Sequence, residues 1–265
     1  MNILVCIKQV PDTTEIKIDP ETNTLIREGV PAIVNPFDKY ALETAARIKD
    51  DRGAKIVVIS MGPQQAKNAL KECLSTGADK AYLVSDRVFS GSDTLATGYI
   101  LSKAIKTVED KEGVFDMILC GLQAIDGDTA QTGPQLAEHL GYPQITCVSK
   151  ILDCESGIKV QRETDTGKEI IKSSLPVVIT VTRTEYEPRF PTIKAKMAAS
   201  KAEIEILTIN EINADPEKSG LTGSPTRVKK TFVPMHKKNN IIINESSARA
   251  SASKLAGLLS EAGLL

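Results

Sequence analysis

Four short apolar runs, Ile3–Val10, Lys55–Met61, Lys80–Val84 and Met117–Gly121, alternate with stretches of helical periodicity. Strands that recur with a helix between neighbours form a mostly parallel sheet covered by helices on its faces. The expected fold is therefore α/β, with a doubly wound, Rossmann-like sheet. Local signals mark the helices. Asn35-Pro36 places a capping residue before a first-turn proline, and Leu42, Ala45, Ala46 and Ile48 then share one face. A second helix runs from Pro63 to a stop at Gly77. A third starts near Ser92-Asp93 and carries Leu95, Tyr99, Leu101 and Ile105. A fourth runs from about Thr129 to Leu140 and ends at Gly141. Before the first helix, Glu15–Ile18 and Thr24–Ile26 flank Asp19-Pro20-Glu21-Thr22-Asn23, which predicts a hairpin beside the sheet.

The texture changes after Gly141. Thr146–Leu152, Ile158–Thr164, Glu169–Ser173 and Val177–Thr182 are strand-like and closely spaced, which predicts an antiparallel meander. A Pro-punctuated loop and a helical segment follow, at 184–201. The Gly- and Pro-rich stretch Asp215 to Pro225 reads as a linker. Beyond it lie a basic extended piece, Arg227 to Phe232, and an amphipathic helix, Ser246–Ala262. The expected division is an α/β nucleotide-binding domain at 1–215 and a C-terminal arm with its helix at 216–265.

The balance of charge narrows the function. With 33 basic and 34 acidic residues among 265, the net charge of −1 gives no basis for binding nucleic acid or a membrane surface. No apolar run approaches the ~18 residues of a membrane span. Aromatic residues make up 4% and Trp is absent, which argues against stacking platforms for single-stranded nucleic acid. The five cysteines, Cys6, Cys73, Cys120, Cys147 and Cys154, are widely spaced without a CxxC pair and read as reduced thiols. Met1 runs almost directly into Ile3-Leu4-Val5-Cys6-Ile7, so no signal peptide is expected and the protein is expected to be cytoplasmic. His139 and His236 are isolated, which predicts no metal site, and no Ser/His/Asp or Cys/His constellation is visible.

The candidate site is the stretch Leu119 to Pro134. An apolar run stops at Gly121, a polar loop follows, and a helix begins near Thr129. A strand that ends at Gly and feeds a helix N-terminus builds an anion cradle from free backbone N–H groups and the helix dipole. In α/β sheets nucleotides bind at such places. Gly127 allows a close approach to a pyrophosphate, and Thr129 and Ala130 are small enough to leave room for a dinucleotide. Two carboxylates beside a phosphate repel it, so Asp126 is assigned to a ribose hydroxyl and Asp128 to the helix N-cap. The same residues also fit a plain strand–turn–helix.

Six motifs, this stretch among them, occur in order along nearly the whole chain. They are Val5-Cys6-Ile7-Lys8-Gln9-Val10-Pro11-Asp12, Asn35-Pro36-Phe37-Asp38, Ser60-Met61-Gly62-Pro63 with Gly77-Ala78-Asp79, Gly121–Gly133, Val160-Gln161-Arg162-Glu163 through Leu175-Pro176, and Glu187-Pro188-Arg189-Phe190. In this pattern the chain resembles the beta subunit of electron-transfer flavoproteins. The form Gly127-Asp128-Thr129-Ala130, the opening Lys8-Gln9-Val10-Pro11-Asp12-Thr13-Thr14 and Gly220-Leu221-Thr222-Gly223-Ser224-Pro225 resemble the electron-bifurcating group.

The resemblance implies an αβ heterodimer in which residues 216–265 clasp the alpha subunit. It implies FAD in the cradle, with NADH as hydride donor; in housekeeping members AMP takes that place. Electrons would pass to ferredoxin or flavodoxin and, through the alpha-subunit FAD, to an acyl-CoA or lactate dehydrogenase type partner. The cofactor-binding set it implies is Cys6, Asn35, Pro36, Phe37, Asp38, Met61, Gly62, Gly121, Gln123, Ala124, Ile125, Asp126, Gly127, Asp128, Thr129, Ala130, Gln131 and Thr132. The partner-binding set is Glu187, Pro188, Arg189, Phe190 and Ile193, on a recognition loop within 184–201. Thr13 falls where some relatives place an aromatic contact. No residue is assigned a catalytic role, because the chemistry would belong to the flavin. A nucleotide-hydrolysing domain would want a Gly-rich phosphate loop with Lys or Ser, and no such string occurs. A pure scaffold subunit is the other alternative, and bulk at Gly127 would separate it from a cofactor site.

Overall fold

The computed structural model describes residues 1–12, 31–229 and 240–265. The expected hairpin around residues 19–23, Thr13, His236 and residues 230–232 of the basic piece at 227–232 lie outside the described residues. Two compact units are present, Met1–Lys229 and Lys230–Leu265. The second contributes α6 (Ala248–Glu261), capped by Ser247, whose Oγ accepts from the Ala250 N–H at 3.2 Å.

The first unit is built on β1 (Asn2–Cys6), whose Ile3, Leu4 and Val5 are fully buried. Both faces of this strand are apolar, as a central parallel strand requires. The chain continues through β2 (Gln9–Pro11), β3 (Ala32–Val34), α1 (Pro36–Arg52), β4 (Lys55–Met61), α2 (Lys67–Ser75), β5 (Lys80–Val84) and α3 (Thr94–Glu112). It then forms β6 (Met117–Gly121), α4 (Thr132–Leu140), β7 (Gln144–Asp153), β8 (Ile158–Thr164), β9 (Gly167–Ser173), β10 (Val177–Val181), α5 (Ile193–Lys201) and β11 (Glu205–Leu207). Nine strands form one sheet in the order β11-β5-β4-β1-β6-β10-β7-β8-β9, and β2 pairs with β3 separately. β1 runs parallel to β4, with Asn2 opposite Lys55 and Cys6 opposite Ile59, and parallel to β6, with Val5 opposite Leu119.

The core is two-sided. Ile3, Val5 and Val58 pack with Ala41, Leu42 and Ala45 of α1 and Leu70 of α2 on one face. Leu4, Val57 and Ile59 pack with Ile100, Leu101 and Ile105 of α3 and Leu136 of α4 on the other. Each of the Val, Leu and Ile side chains contributes roughly 1.5–3 kcal/mol of burial.

Several expectations need correction. The run Ile3–Val10 is not one strand. The Ile7 N–H still bonds to Ile59 O at 2.8 Å, but the Lys8 N–H is taken by the Asp38 carboxylate, so the chain leaves the sheet there. The meander holds for β7, β8 and β9 only. β10 lies between β6 and β7 and is parallel to both. Its five residues are all buried, the pattern of a central strand rather than a hairpin arm. The fourth helix starts at Thr132 rather than Thr129, because Asp128 and Ala130 take left-handed conformations with φ of 50° and 52°. The stretch read as a linker is packed. Ser219 and Ser224 are buried, and Asp215 caps a short 3-10 turn at Pro216–Lys218.

At the opposite end of the sheet, Glu112 gathers Lys55 at 2.6 Å, Lys80 and the Tyr82 hydroxyl. Burial pushes its carboxyl up, but these three donors outweigh burial and hold it at about 2, below the usual 4.5. A depressed carboxyl contributes stability at higher pH and loses it as the pH falls towards the folded value. Urea unfolding at stepped pH is therefore expected to show a loss of stability between about 4.5 and about 2 that Glu112→Gln lacks.

Candidate functional site

The chain places β4 and β5 on one side of β1, then returns to place β6 on the other. The carboxyl ends of β1 and β6 thus form the topological switch point of the sheet, where α/β folds open a crevice. Cys6 ends β1 and Gly121 ends β6.

The N-terminus of α1 closes on this point. Asn35 sits at the cap position and Pro36 in the first turn, but the Asn35 side chain makes no cap bond. It is buried and turned to the crevice. Its amide donates to Asp38 Oδ1 at 2.9 Å and to Gln123 O at 2.8 Å, and its Oδ1 accepts from the Ile125 N–H at 3.2 Å. Asp38, 6% exposed, accepts from the Lys8 N–H at 2.7 Å and the Gly121 N–H at 3.2 Å. These two side chains knit the segments after β1 and β6 together. Burial pushes the Asp38 carboxyl up to about 7, against the hydrogen bonds from Asn35, Lys8 and Gly121. Gly121 is required by this approach, since a Cβ there would lie 2.3 Å from Asp38 Oδ1 and 2.7 Å from the Phe37 carbonyl carbon. A hydrogen bond with Cys120, then burial, pushes the Cys6 thiol well up, so Cys6 is not a reactive thiolate.

The loop after β6 is exposed from Ile125 to Thr129. Asp126 pairs with Lys8 Nζ at 2.6 Å across the mouth of the crevice. Asp128 accepts from Gln123 Nε2 at 2.8 Å. It is therefore not the N-cap of α4; Gln131 takes that position without a side-chain cap bond. Gln131 Oε1 instead accepts from Thr94 Oγ1 at 3.1 Å. The left-handed backbones at Asp128 and Ala130 cost roughly 1 kcal/mol each, the kind of strain that collects at ligand-binding loops. Gly127 has nothing within 4 Å of an added Cβ, so no internal packing requires a glycine there. The N–H groups of Thr129 and Ala130 have no acceptor among the described residues, and those of Thr132 and Gly133 at the start of α4 are free by helix geometry. Gly133 brings that turn onto β10, since a Cβ would meet Thr180 Cγ2 at 2.4 Å. Free N–H groups, small side chains and a helix start can accept an anion.

Cys6, Asn35–Asp38 and Gly121–Thr132 are thus brought together. Met61 and Gly62 follow at the end of β4, where the Gly62 N–H bonds to Val84 O at 3.0 Å. Sequence reasoning missed the roles of Lys8 and Thr94. A lone cation directly after the first strand was the available signal for Lys8; Thr94 carried none beyond its place beside the helix cap.

The loop before α5 divides into an anchored base and an exposed tip. Arg189 points inward. Its guanidinium bonds to Glu43 at 2.8 and 3.2 Å and to Asp50 at 2.8 Å. Tyr186 lies under Arg47 at 3.9 Å, and Glu187 pairs with Arg183 at 3.1 Å and Tyr40 at 3.0 Å. Pro188 is half-buried. Phe190 and Ile193 are 93% and 80% exposed, and Met197, one turn along α5, is also exposed. The apolar tip is therefore Phe190, Ile193 and Met197, with Arg189 as its internal support. Among the described residues no cluster of His, Cys, Asp or Glu could hold a metal, and no helix is long and apolar enough to cross a membrane.

Fold and site together define an α/β protein with a strand–glycine–helix crevice at the switch point of its sheet. Comparison with known proteins narrows the class. Residues 22–212 match the model of the electron transfer flavoprotein domain. The chain is 52% identical over 246 residues to the electron transfer flavoprotein subunit beta of Megasphaera elsdenii, a match covering 92% of this chain and 91% of that protein. It is 44% identical over 262 residues to the caffeyl-CoA reductase-Etf complex subunit CarD of Acetobacterium woodii, covering 98% of each. It is also 44% identical over 250 residues to protein FixA of Azotobacter vinelandii, covering 93% of this chain and 89% of that protein. The chain belongs to the electron transfer flavoprotein beta-subunit family.

Proposed function

We propose that this chain is the beta subunit of a heterodimeric, electron-bifurcating flavoprotein and holds FAD in the switch-point cradle. The observation that carries the reading is the loop at 127–132. It combines the Thr129 and Ala130 N–H groups, which have no acceptor among the described residues, with an exposed glycine and a small left-handed Ala130 shortly before a helix start. These features fit a pyrophosphate and leave the open side of the loop for the second half of a dinucleotide.

The Thr129–Thr132 backbone, with the Thr129, Gln131 and Thr132 side chains, holds the phosphates. Asp126 exchanges its Lys8 partner for a ribose hydroxyl. Cys6, Met61, Gly62 and the Asn35–Asp38 turn border the adenine, and Gln123, Ala124, Ile125 and Asp128 shape the loop. Bound FAD supplies hydride acceptance from NADH and delivery of the electrons one at a time. The protein supplies position and electrostatics. The part of the C-terminal arm that follows the packed 219–226 segment packs on the alpha subunit, which carries electrons to a dehydrogenase partner, while ferredoxin or flavodoxin takes the low-potential electron. The exposed tip at Phe190 and Ile193 suits a docking hot spot. The caffeyl-CoA reductase complex of the CarD relative supports an acyl-CoA partner over a lactate-type one. A cytoplasmic location follows from this partnership.

The test is co-purification with the alpha subunit, followed by denaturing release and chromatography of the bound nucleotides. Two FAD per heterodimer and no AMP are expected. One FAD with one AMP would overturn the bifurcating reading and leave a one-flavin carrier with structural AMP.

A further inference from the structure

The segment Gly220-Leu221-Thr222-Gly223-Ser224-Pro225 has no part in the cradle, yet it is seated with close backbone contact. Gly220 has φ +60°, and a Cβ there would lie 2.1 Å from Val88 O. A Cβ on Gly223 would meet the Lys218 carbonyl carbon at 2.1 Å. Ser224 Oγ is buried. It accepts from the Asp93 N–H at 2.8 Å and donates to Gly220 O at 2.6 Å. The Gly220 N–H donates to Ser92 Oγ at 3.1 Å.

Asp93 joins this segment to α3. Its Oδ1 accepts from the Ala96 N–H at 3.0 Å as the helix cap, and its Oδ2 accepts from the Thr226 N–H at 3.0 Å. Burial pushes this carboxyl up, but those N–H groups prevail and hold it below its ordinary value. Both oxygens are therefore committed acceptors. The next residue, Thr94, holds Gln131 of the cradle loop. One turn further, Gly98 lets α3 close on α4, where a Cβ would meet Gln135 Cβ at 3.3 Å and Leu136 N at 3.4 Å.

We infer that Asp93 and Ser224 are positioning residues for the cradle, tying the 219–226 segment to the first turn of α3, which in turn sets Gln131 and the start of α4. This rests on the reading of the cradle as a nucleotide site. Neither residue touches the cradle loop, and their effect passes through α3 alone. With the segment seated, the first turn of α3 is held from two sides, by its own cap and by Thr226. With it loose, only the cap remains, and the Thr94–Gln131 bond loses its fixed end.

Asp93→Asn separates these roles. Asparagine caps a helix as well as aspartate does, but it offers one acceptor oxygen and sets its amide against the Thr226 N–H. Asp93→Ala removes both functions. The variants are compared in the intact heterodimer with its alpha subunit, by thermal midpoint, rate of nucleotide release and amide exchange. The expected result is that Asn restores the midpoint lost in Ala, while both release nucleotide about tenfold faster, the effect of one lost hydrogen bond. Exchange at 127–132 is expected to rise in both variants, with the β1 and β4 amides unchanged. Ser224→Ala reads the same tie if the Asp93 variants do not fold. The inference is overturned if Asp93→Asn and Ser224→Ala raise exchange at 219–226 but leave 127–132 and the release rate within about twofold of the parent. If the parent carries no nucleotide, the reading of the cradle fails. Exchange at 127–132 then decides the tie by itself.

Discussion

Gly121→Ala is expected to destabilise the first unit by about 3 kcal/mol and to leave the cradle without nucleotide. Its methyl would fall 2.3 Å from Asp38 Oδ1, 2.7 Å from the Phe37 carbonyl carbon and 2.8 Å from the Asp38 nitrogen. Two of these neighbours are backbone atoms in the first turn of α1. They can yield only if the whole helix start retreats, which breaks the bonds from Asp38 to the Lys8 and Gly121 N–H groups. Gly127 provides the contrast. Its Cβ position is open, so Gly127→Leu is expected to change the thermal midpoint little while emptying the cradle. Thermal melts paired with chromatography of released nucleotide check both. A Gly127→Leu protein that loses no electron-transfer function would favour the scaffold alternative.

Asp38→Ala is the second large effect. It removes the acceptor for the Lys8 N–H, the Gly121 N–H and the Asn35 amide together. An orphaned buried donor costs about 1–3 kcal/mol. Relief of the carboxyl's own burial offsets part of this, so a net loss of about 3 kcal/mol is expected by urea unfolding at neutral pH. The pH dependence follows from the raised carboxyl. Between its ordinary 3.8 and about 7 the folded protein holds a proton that the unfolded chain has released. This contribution is fully present below 3.8 and is lost as the pH rises through about 7. Asp38→Asn, which does not titrate, is expected to lack that falling slope. A parallel slope in both proteins would show that Asp38 does not titrate in this range.

The sheet was legible because its strands are short, apolar on both faces and stopped by glycine or a helix cap. β4, β5 and β6 have the expected bounds, and α1 begins at its Asn-Pro signal. What failed was decided by partners distant in sequence. Lys8 leaves the sheet because Asp38 captures its N–H, and no local pattern records that. β10 lies parallel because five buried residues need two neighbours, whereas spacing alone suggested a hairpin. The start of α4 was placed too early because a left-handed alanine is not visible in a propensity. The cradle was legible as a position, strand then Gly then helix. The internal wiring of Asn35, Asp38 and Arg189 was not: a helix-cap signal does not show that Asn35 and Asp38 bond to the segments after β1 and β6, and a loop motif does not show that Arg189 turns in to Glu43.

Arg189 is braced by Glu43 and Asp50 of α1, the helix whose first turn carries Asp38. A single rigid rod therefore joins the apolar loop tip to the floor of the cradle. At about 1.5 Å per residue, Asp38 and Asp50 stand roughly 18 Å apart along its axis. That spacing works as a ruler. Whatever docks at the tip meets the cradle at an offset measured in helix turns, which side-chain changes on α1 other than at Asp38, Glu43 and Asp50 leave intact. An insertion or deletion within α1 would shift it by about 1.5 Å per residue and rotate one end against the other.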